Sequence, residues 1–199
     1  DFNFQVGDAR IKNGAAFYNF TLPLNEKSLI LYSFGGLNLR RGTGYGFRRL
    51  PSEYENNVPQ IFPFGFQPEL ASKILDGSSA LGLRWALGKW NFDLSNTFGT
   101  NKFDYTVNNS VNATMDTLSP TSFEAGGHQF SQNTTNFDVS KKYANILAGV
   151  NVAMGAEYRL ENYKIREGDP QSYARYEIAP DKTPGAQSFP GFSPNNAVD

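Results

Sequence analysis

Residues 81–98 read LGLRWALGKWNFDLSNTF, and this stretch decides the fold class. In a β-strand alternate side chains point to opposite faces, so a strand with one apolar face shows a period of two. Leu83 and Trp85 occupy odd-numbered positions, and Arg84 occupies the even-numbered position between them. Because Gly88 is available for a tight turn, the pattern predicts a β-hairpin. Its second strand continues the alternation with the apolar residues Trp90, Phe92, Leu94 and Phe98.

The same period predicts two more hairpins. One has strands at residues 9–24 and 29–41, and the other has strands at residues 135–143 and 150–160. Their apolar sides carry Leu29, Leu31, Leu37 and Leu39 in the first hairpin, and Thr135, Phe137, Val139, Tyr143, Val150, Val152, Met154, Ala156, Tyr158 and Leu160 in the second. The chain is therefore predicted to be all-β, with about six antiparallel up-and-down strands.

The connections alternate between short and long. Short turns are predicted at residues 25–28, 87–89 and 144–148, and long loops at residues 48–76 and 108–132, followed by a long tail after Gly168. Outer-membrane barrels alternate in this way, with short periplasmic turns and long extracellular loops. The strands are thus predicted to form part of a transmembrane β-barrel with all three short turns at one end.

The central hairpin also carries a prediction of register. If Leu87 and Gly88 form the centre of the turn, Trp85 lies opposite Trp90, and Leu83 opposite Phe92. The two tryptophans are then expected in an aromatic girdle at the membrane boundary.

Composition excludes several classes of protein. The chain has eighteen Lys and Arg and nineteen Asp and Glu, so the charges nearly cancel and no basic surface for nucleic acid is expected. The absence of cysteine excludes disulfides and thiolate metal sites. No stretch approaches the roughly 18 apolar residues of a membrane-spanning helix.

Six strands are too few to close a membrane barrel, since bacterial barrels begin at about eight. Residues 1–199 are therefore expected to be a fragment of an outer-membrane barrel domain, with no plug domain present. The alternative is a soluble or surface β-sandwich whose apolar face forms its core and whose loops bind a ligand or a partner.

Several segments resemble the barrel region of TonB-dependent receptors: residues 58–68, 108–127, 130–139, 155–173 and 185–194. The resemblance implies a barrel in the outer membrane of a Gram-negative bacterium, in contact with outer-membrane lipid, with its own plug domain and with the TonB system. It also implies uptake of a large or scarce solute of the siderophore, vitamin or saccharide class.

Candidate site residues follow from parity and from loop composition. The polar face opposite the leucines is predicted to face a lumen and to carry Arg84, Asn91, Asp93, Asn136, Glu157, Arg159 and Glu161. An aromatic and basic loop is a second candidate, with possible ligand contacts at Arg48, Arg49, Phe62, Phe64 and Phe66.

Enzymatic chemistry is not expected. His128 is the only histidine and is interpreted as a loop residue without triad partners, so no catalytic residue is assigned. No metal-ligand spacing is present, and neither a metal nor a cofactor is expected.

Overall fold

A computed structural model describes residues 5, 7–25 and 29–196 of the chain. Its six strands are β1 (Arg10–Pro23), β2 (Leu29–Tyr45), β3 (Glu69–Leu87), β4 (Trp90–Asn108), β5 (Ser122–Tyr143) and β6 (Val150–Arg166). Short helical turns lie at Ala113–Leu118, Pro170–Tyr173 and Pro194–Asn196. In the described part of the chain, no helix is long and apolar enough to cross a membrane.

The strands form one antiparallel sheet in the order β1-β2-β3-β4-β5-β6. Each strand pairs with its neighbours in sequence, and the sheet is open between β1 and β6. The predicted all-β, up-and-down arrangement of six antiparallel strands is therefore confirmed, and an open sheet is consistent with part of a barrel.

The short connections lie at one end of the sheet and the long ones at the other. Within the predicted turn at residues 25–28, only Asn25 is described, and its Oδ1 accepts a hydrogen bond from the backbone N–H of Leu29 at 2.9 Å. Residues 26–28 lie outside the described residues. We call the two ends of the sheet the turn end and the loop end.

The central turn has Gly88 and Lys89 at its centre, and Leu87 pairs with Trp90. The predicted register was wrong by two residues, because Trp85 lies opposite Phe92 and Leu83 opposite Leu94. Gly88 has a φ of 61°, which a two-residue hairpin turn requires at its first central position and which glycine adopts without steric cost.

Two strands begin earlier than predicted. β3 starts at Glu69 and β5 at Ser122, so the loops cover residues 46–68 and 109–121 instead of 48–76 and 108–132. A β-bulge between Tyr105 and Thr106 interrupts the pairing of β4 with β5. The extensions escaped prediction because their apolar side chains lie on the other face of the sheet.

The register divides the side chains into two faces, which we name after adjacent residues of β3. The Leu83 face includes six side chains in one row across the sheet: Leu22, Leu31, Leu83, Leu94, Phe137 and Ala156. The Arg84 face includes the partners of Arg84 in the next row, Ile30, Asp93, Asp138 and Gly155.

The apolar side of the sheet changes from one face to the other along β3–β6. Near the turn end, the apolar residues lie on the Leu83 face. Near the loop end, that face carries charged residues such as Lys73 and Lys102. There the apolar side chains lie on the Arg84 face: Leu70, Ile74, Phe103, Tyr105, Val107, Phe123, Phe130, Tyr163 and Ile165.

The buried core lies at the loop end, where residues beyond β6 return over the Arg84 face. Val107, Phe123 and Ala125 of the sheet pack with Ala186 of the C-terminal segment, residues 167–196. A second cluster joins Val58 and Phe66 of the first long loop to Val111 and Ala113 of the second. Large apolar side chains on the Leu83 face near the turn end stay exposed, among them Leu81 at 57% and Met154 at 59%.

Candidate functional site

The register places all seven polar residues singled out in the sequence on the Arg84 face. They occupy even positions of β3 and β5 and odd positions of β4 and β6, which the pairing brings to the same side. That this face lines a lumen remains a prediction. The residues are Arg84, Asn91, Asp93, Asn136, Glu157, Arg159 and Glu161.

A polar cluster centres on Asp93 near the turn end. Nη2 of Arg84 lies 2.9 Å from Oδ2 of Asp93, and the hydroxyl of Tyr32 donates a hydrogen bond of 2.7 Å to Oδ1. The Arg84 guanidinium also lies 5.0 Å from the centre of the Tyr32 ring, within cation–π range. Tyr32 was missed as a site residue, although its even position in β2 gives it the parity of this face.

An open depression of about 440 Å³ lies beside this cluster. Arg84, Asn91, Asp93, Asp138 and Ser140 supply its polar lining. Asp138 lies directly opposite Asp93. The depression therefore offers a guanidinium, two carboxylates, an amide and a hydroxyl to a polar solute, and it is open to solvent.

A ladder of charges follows β6 at the edge of the sheet. Arg159 reaches both neighbours on its face, with N–O distances of 2.7 Å to Glu157 and 3.8 Å to Glu161. All three side chains are about half exposed, so each pair stabilises the fold by no more than about 1 kcal/mol. The ladder gives this edge a polar surface with a net charge of −1.

The three segments at the loop end are joined into one structure, which we call the loop cap: residues 46–68, 109–121 and 167–196. Nδ2 of Asn112, which is fully buried, donates to the carbonyls of Gln171 at 2.9 Å and Ala174 at 2.8 Å. The backbone N–H of Thr183 donates to the backbone carbonyl of Glu55, and Nζ of Lys182 donates to the backbone carbonyl of Asn57. Sequence patterns carried no signal for these contacts, because they join segments far apart in the chain.

The aromatic loop offers less to a ligand than its sequence indicates. Phe66 is only 2% exposed, and its ring packs on Phe62 with 4.6 Å between centroids. Phe64 is 80% exposed. Of the three phenylalanines, Phe64 alone presents most of its surface to solvent, and ligand contact by this loop stays a prediction.

The two loop arginines hold the first loop together. Nη2 of Arg48 donates to the carbonyl of Phe64 at 2.8 Å, and the backbone of Arg49 pairs with that of Phe66. A cleft of about 340 Å³ lies alongside, lined by Arg48 and Phe62 together with Tyr45, Gly65, Phe66, Gln67, Glu69 and Asn109.

His128 lies within β5, which corrects its interpretation as a loop residue. It pairs with Phe103, and their rings stack at 5.2 Å between centroids. Tyr105 lies 5.7 Å from the His128 ring and 4.9 Å from Phe189 of the C-terminal segment. His128 is thus part of the aromatic surface on which the loop cap rests. Within the described ranges, no group of three or more potential ligands is arranged to hold a metal ion.

Comparison with protein-family models, with curated proteins and with solved structures finds no match to this chain.

Proposed function

We propose that this chain is a wall segment of a Gram-negative outer-membrane β-barrel, with its Leu83 face toward lipid and its Arg84 face toward the lumen. The change of apolar side along β3–β6 carries the proposal. Near the turn end the exposed Leu83 face is apolar, as lipid contact requires, and near the loop end it is charged, as contact with headgroups and water requires. In a soluble sandwich, the same face would stay buried along the whole strand.

The aromatic side chains near the short turns support the same orientation of the two faces. Trp85 stacks on Phe92 with 5.2 Å between centroids, on the Leu83 face. Nζ of Lys141 lies 4.7 Å from the centre of the Trp90 ring and 4.6 Å from that of Tyr143. Aromatic rings with a cation among them are typical of the interface between hydrocarbon and water.

The hairpins are staggered as barrel closure requires. β3 extends two residues past the start of β2, because Leu29 pairs with Trp85 and the strand continues to Leu87. β5 likewise extends two residues past the start of β4, because Trp90 pairs with Lys141 and β5 continues to Tyr143. A cumulative offset of this kind is the shear that lets tilted strands close into a barrel.

The assignment to TonB-dependent receptors, and with it import of a siderophore, vitamin or saccharide, rests on the sequence resemblance. In such a receptor the polar cluster at Asp93 and the β6 ladder would line the solute path, and the loop cap would lie at its extracellular mouth. Growth of a deletion strain on limiting iron, cobalamin or oligosaccharide, with and without TonB, tests this part of the proposal. Identical growth of the deletion and parent strains under all three limitations would count against it.

The membrane assignment has a direct test in detergent dependence. We expect the intact protein to stay monodisperse only while an amphiphile covers the Leu83 face, and to precipitate on detergent removal. A monodisperse, folded protein in plain buffer would favour the alternative function, a soluble or surface β-sandwich that binds a ligand through the cleft beside Arg48.

A further inference from the structure

A belt of cations crosses the Leu83 face at the loop end. Lys12 of β1 pairs with Arg41 of β2, and Arg41 pairs with Lys73 of β3. Lys102 of β4 lies on the same face, opposite Leu75 in the neighbouring row. Each of four consecutive strands thus places at least one cation on this face. We call Lys12, Arg41, Lys73 and Lys102 the cation belt.

The belt carries little compensating negative charge. Asp104 also lies on this face, but it already contacts two cations, Lys102 at 3.4 Å and Arg166. Asp104 is also the direct cross-strand partner of Lys73 in this row. Lys12, Arg41 and Lys73 are exposed, and within the described ranges neither Asp104 nor another carboxylate forms an ion pair with them. Like charges directly opposite each other across strands are destabilising, so this row favours a bound anion.

The belt also lies at the height of the outer headgroups if the proposed function is correct. Lys73 lies 14 residues before Leu87, the last residue of β3. At about 3.3 Å per residue and a tilt of about 40°, it lies about 35 Å above the turn. An apolar band about 25 Å tall therefore ends below it, which leaves the belt among the headgroups.

We propose that the cation belt binds phosphate-bearing lipid headgroups of the outer leaflet. The proposal rests on the proposed membrane function and adds a ligand that the barrel assignment does not require. Arginine and lysine side chains on neighbouring strands, about 4.8 Å apart, can contact the same phosphate group, with Arg41 able to donate two parallel hydrogen bonds and the lysines acting as point charges.

The test compares two variants of equal charge change in the intact protein. In the belt variant Lys12, Arg41 and Lys73 are replaced by glutamine, and Lys102 is kept because it pairs with Asp104. In the control variant Arg40, Lys89 and Lys142 are replaced by glutamine. Arg40 and Lys142 lie on the Arg84 face, and Lys89 lies in the central turn.

Each protein is reconstituted into vesicles of phosphatidylcholine containing one-tenth phosphatidic acid, extracted with mild detergent, and assayed for co-purifying lipid by mass spectrometry. We expect phosphatidic acid to be enriched on the parent and control proteins, and the enrichment to fall about tenfold in the belt variant. Equal loss in both variants, or no enrichment on the parent, overturns the cation belt as a lipid site.

Quenching of Trp85 and Trp90 by brominated lipid separates failure of this proposal from failure of the proposed function. Quenching with no lipid enrichment means that the barrel is in the membrane and the belt proposal is wrong. No quenching means that the Leu83 face does not meet lipid, and both proposals then fail.

Discussion

The ring of Tyr32 on β2 occupies the space that a Cβ at Gly82 on β3 would need. The two residues are direct partners across the strands, and the glycine lets the ring lie flat over the backbone and reach Asp93. The polar cluster on the Arg84 face thus depends on the absence of a side chain at residue 82.

Replacing Gly82 with alanine is therefore expected to displace the Tyr32 ring and break its hydrogen bond to Asp93. Overpacking of this kind costs about 1–3 kcal/mol of unfolding free energy. Urea unfolding of the intact protein in lipid vesicles measures the loss. Gly99→Ala on β4 is the matched control, because a Cβ there meets nothing within 4 Å on the same face. Equal stability of the two variants would contradict this account of the cluster.

The register of the central hairpin is testable by cysteine crosslinking, since the chain has no cysteine of its own. Ala86 and Asn91 are direct partners. They lie next to Leu87 and Trp90, the pair that closes the two-residue turn. Such positions are not hydrogen-bonded to each other, and their Cα atoms approach to about 4.5 Å, within disulfide range.

We expect Ala86→Cys with Asn91→Cys to form a disulfide rapidly under mild oxidation. Arg84→Cys with Asn91→Cys should remain reduced, although these two residues would be partners if Leu87 and Gly88 formed the turn centre. The difference is read by mass spectrometry after alkylation. Preferential oxidation of the second pair would restore the register expected from the sequence.

Sequence reading recovers the six strands because, near the turn end, only one face of the sheet is apolar. Leu81, Leu83 and Trp85 alternate with small or polar residues, and the resulting period of two is unambiguous. The period of two could not fix the turn centre, because a turn centred on Leu87 and Gly88 and a turn centred on Gly88 and Lys89 place the same side chains on each face. A shift of register by two residues leaves every side chain on the same side.

The strand extensions were missed because the period changes phase. In β4 the apolar residues are even up to Phe98 and odd from Phe103 to Val107. Because the apolar residues move from even to odd positions, the period of two ends there and the sequence predicts a loop. The loop cap, which covers the second apolar set, is built from contacts between distant segments, and no local pattern encodes them.

The orientation of the two faces predicts opposite effects for a charge placed on either side of one strand. Phe98 and Thr97 are adjacent in β4, with Phe98 on the Leu83 face and Thr97 on the Arg84 face. Phe98→Arg is expected to cost about 1–3 kcal/mol of folding free energy in lipid vesicles, because Phe98 lies about 20 Å above the central turn, in the outer half of the apolar band, where the cost is below its midplane value. Thr97→Arg should cost less than about 1 kcal/mol, and equal costs would mean that the Leu83 face does not meet lipid.

A tyrosine in the loop cap provides a pH-dependent test. The nearby Asp181 carboxylate, through its charge and a hydrogen bond, raises the pKa of Tyr54 above its ordinary value of 10.0. Because the pKa is raised on folding, the stabilisation is fully present below the ordinary pKa and is lost as the pH rises through the raised one.

Asp181→Asn is therefore expected to lower the pKa of Tyr54 toward its ordinary value. Carbon NMR of labelled tyrosine, with Tyr54→Phe to assign the resonance, follows the titration. Asp8→Asn serves as a control for a carboxylate outside the loop cap. An unchanged Tyr54 titration in Asp181→Asn would place the two residues apart in solution.

Asn112 is expected to hold the loop cap together through its side-chain amide. Its Oδ1 accepts from Oγ1 of Thr114 at 2.6 Å, in addition to the two bonds that Nδ2 donates to the C-terminal segment. Asn112→Ala leaves the part-buried carbonyls of Gln171 and Ala174 without their side-chain donor, at a cost of about 1–3 kcal/mol. Asn112→Asp should be worse at neutral pH, because a carboxylate oxygen then faces the carbonyls of Gln171 and Ala174.

Hydrogen exchange distinguishes this local effect from global unfolding. In both Asn112 variants the amides of Ser172 and Ala174 should exchange faster, while those at the centre of β3 and β4 keep their protection. Asn56→Ala is the control, since its Nδ2 makes only a 3.4 Å contact with Glu53 in the same loop. Unchanged exchange at Ser172 and Ala174 in Asn112→Ala would mean that the other contacts of the C-terminal segment, such as the backbone hydrogen bonds of Asp169 to Glu124 and of Phe192 to Ala125, hold it on the sheet without the Asn112 amide.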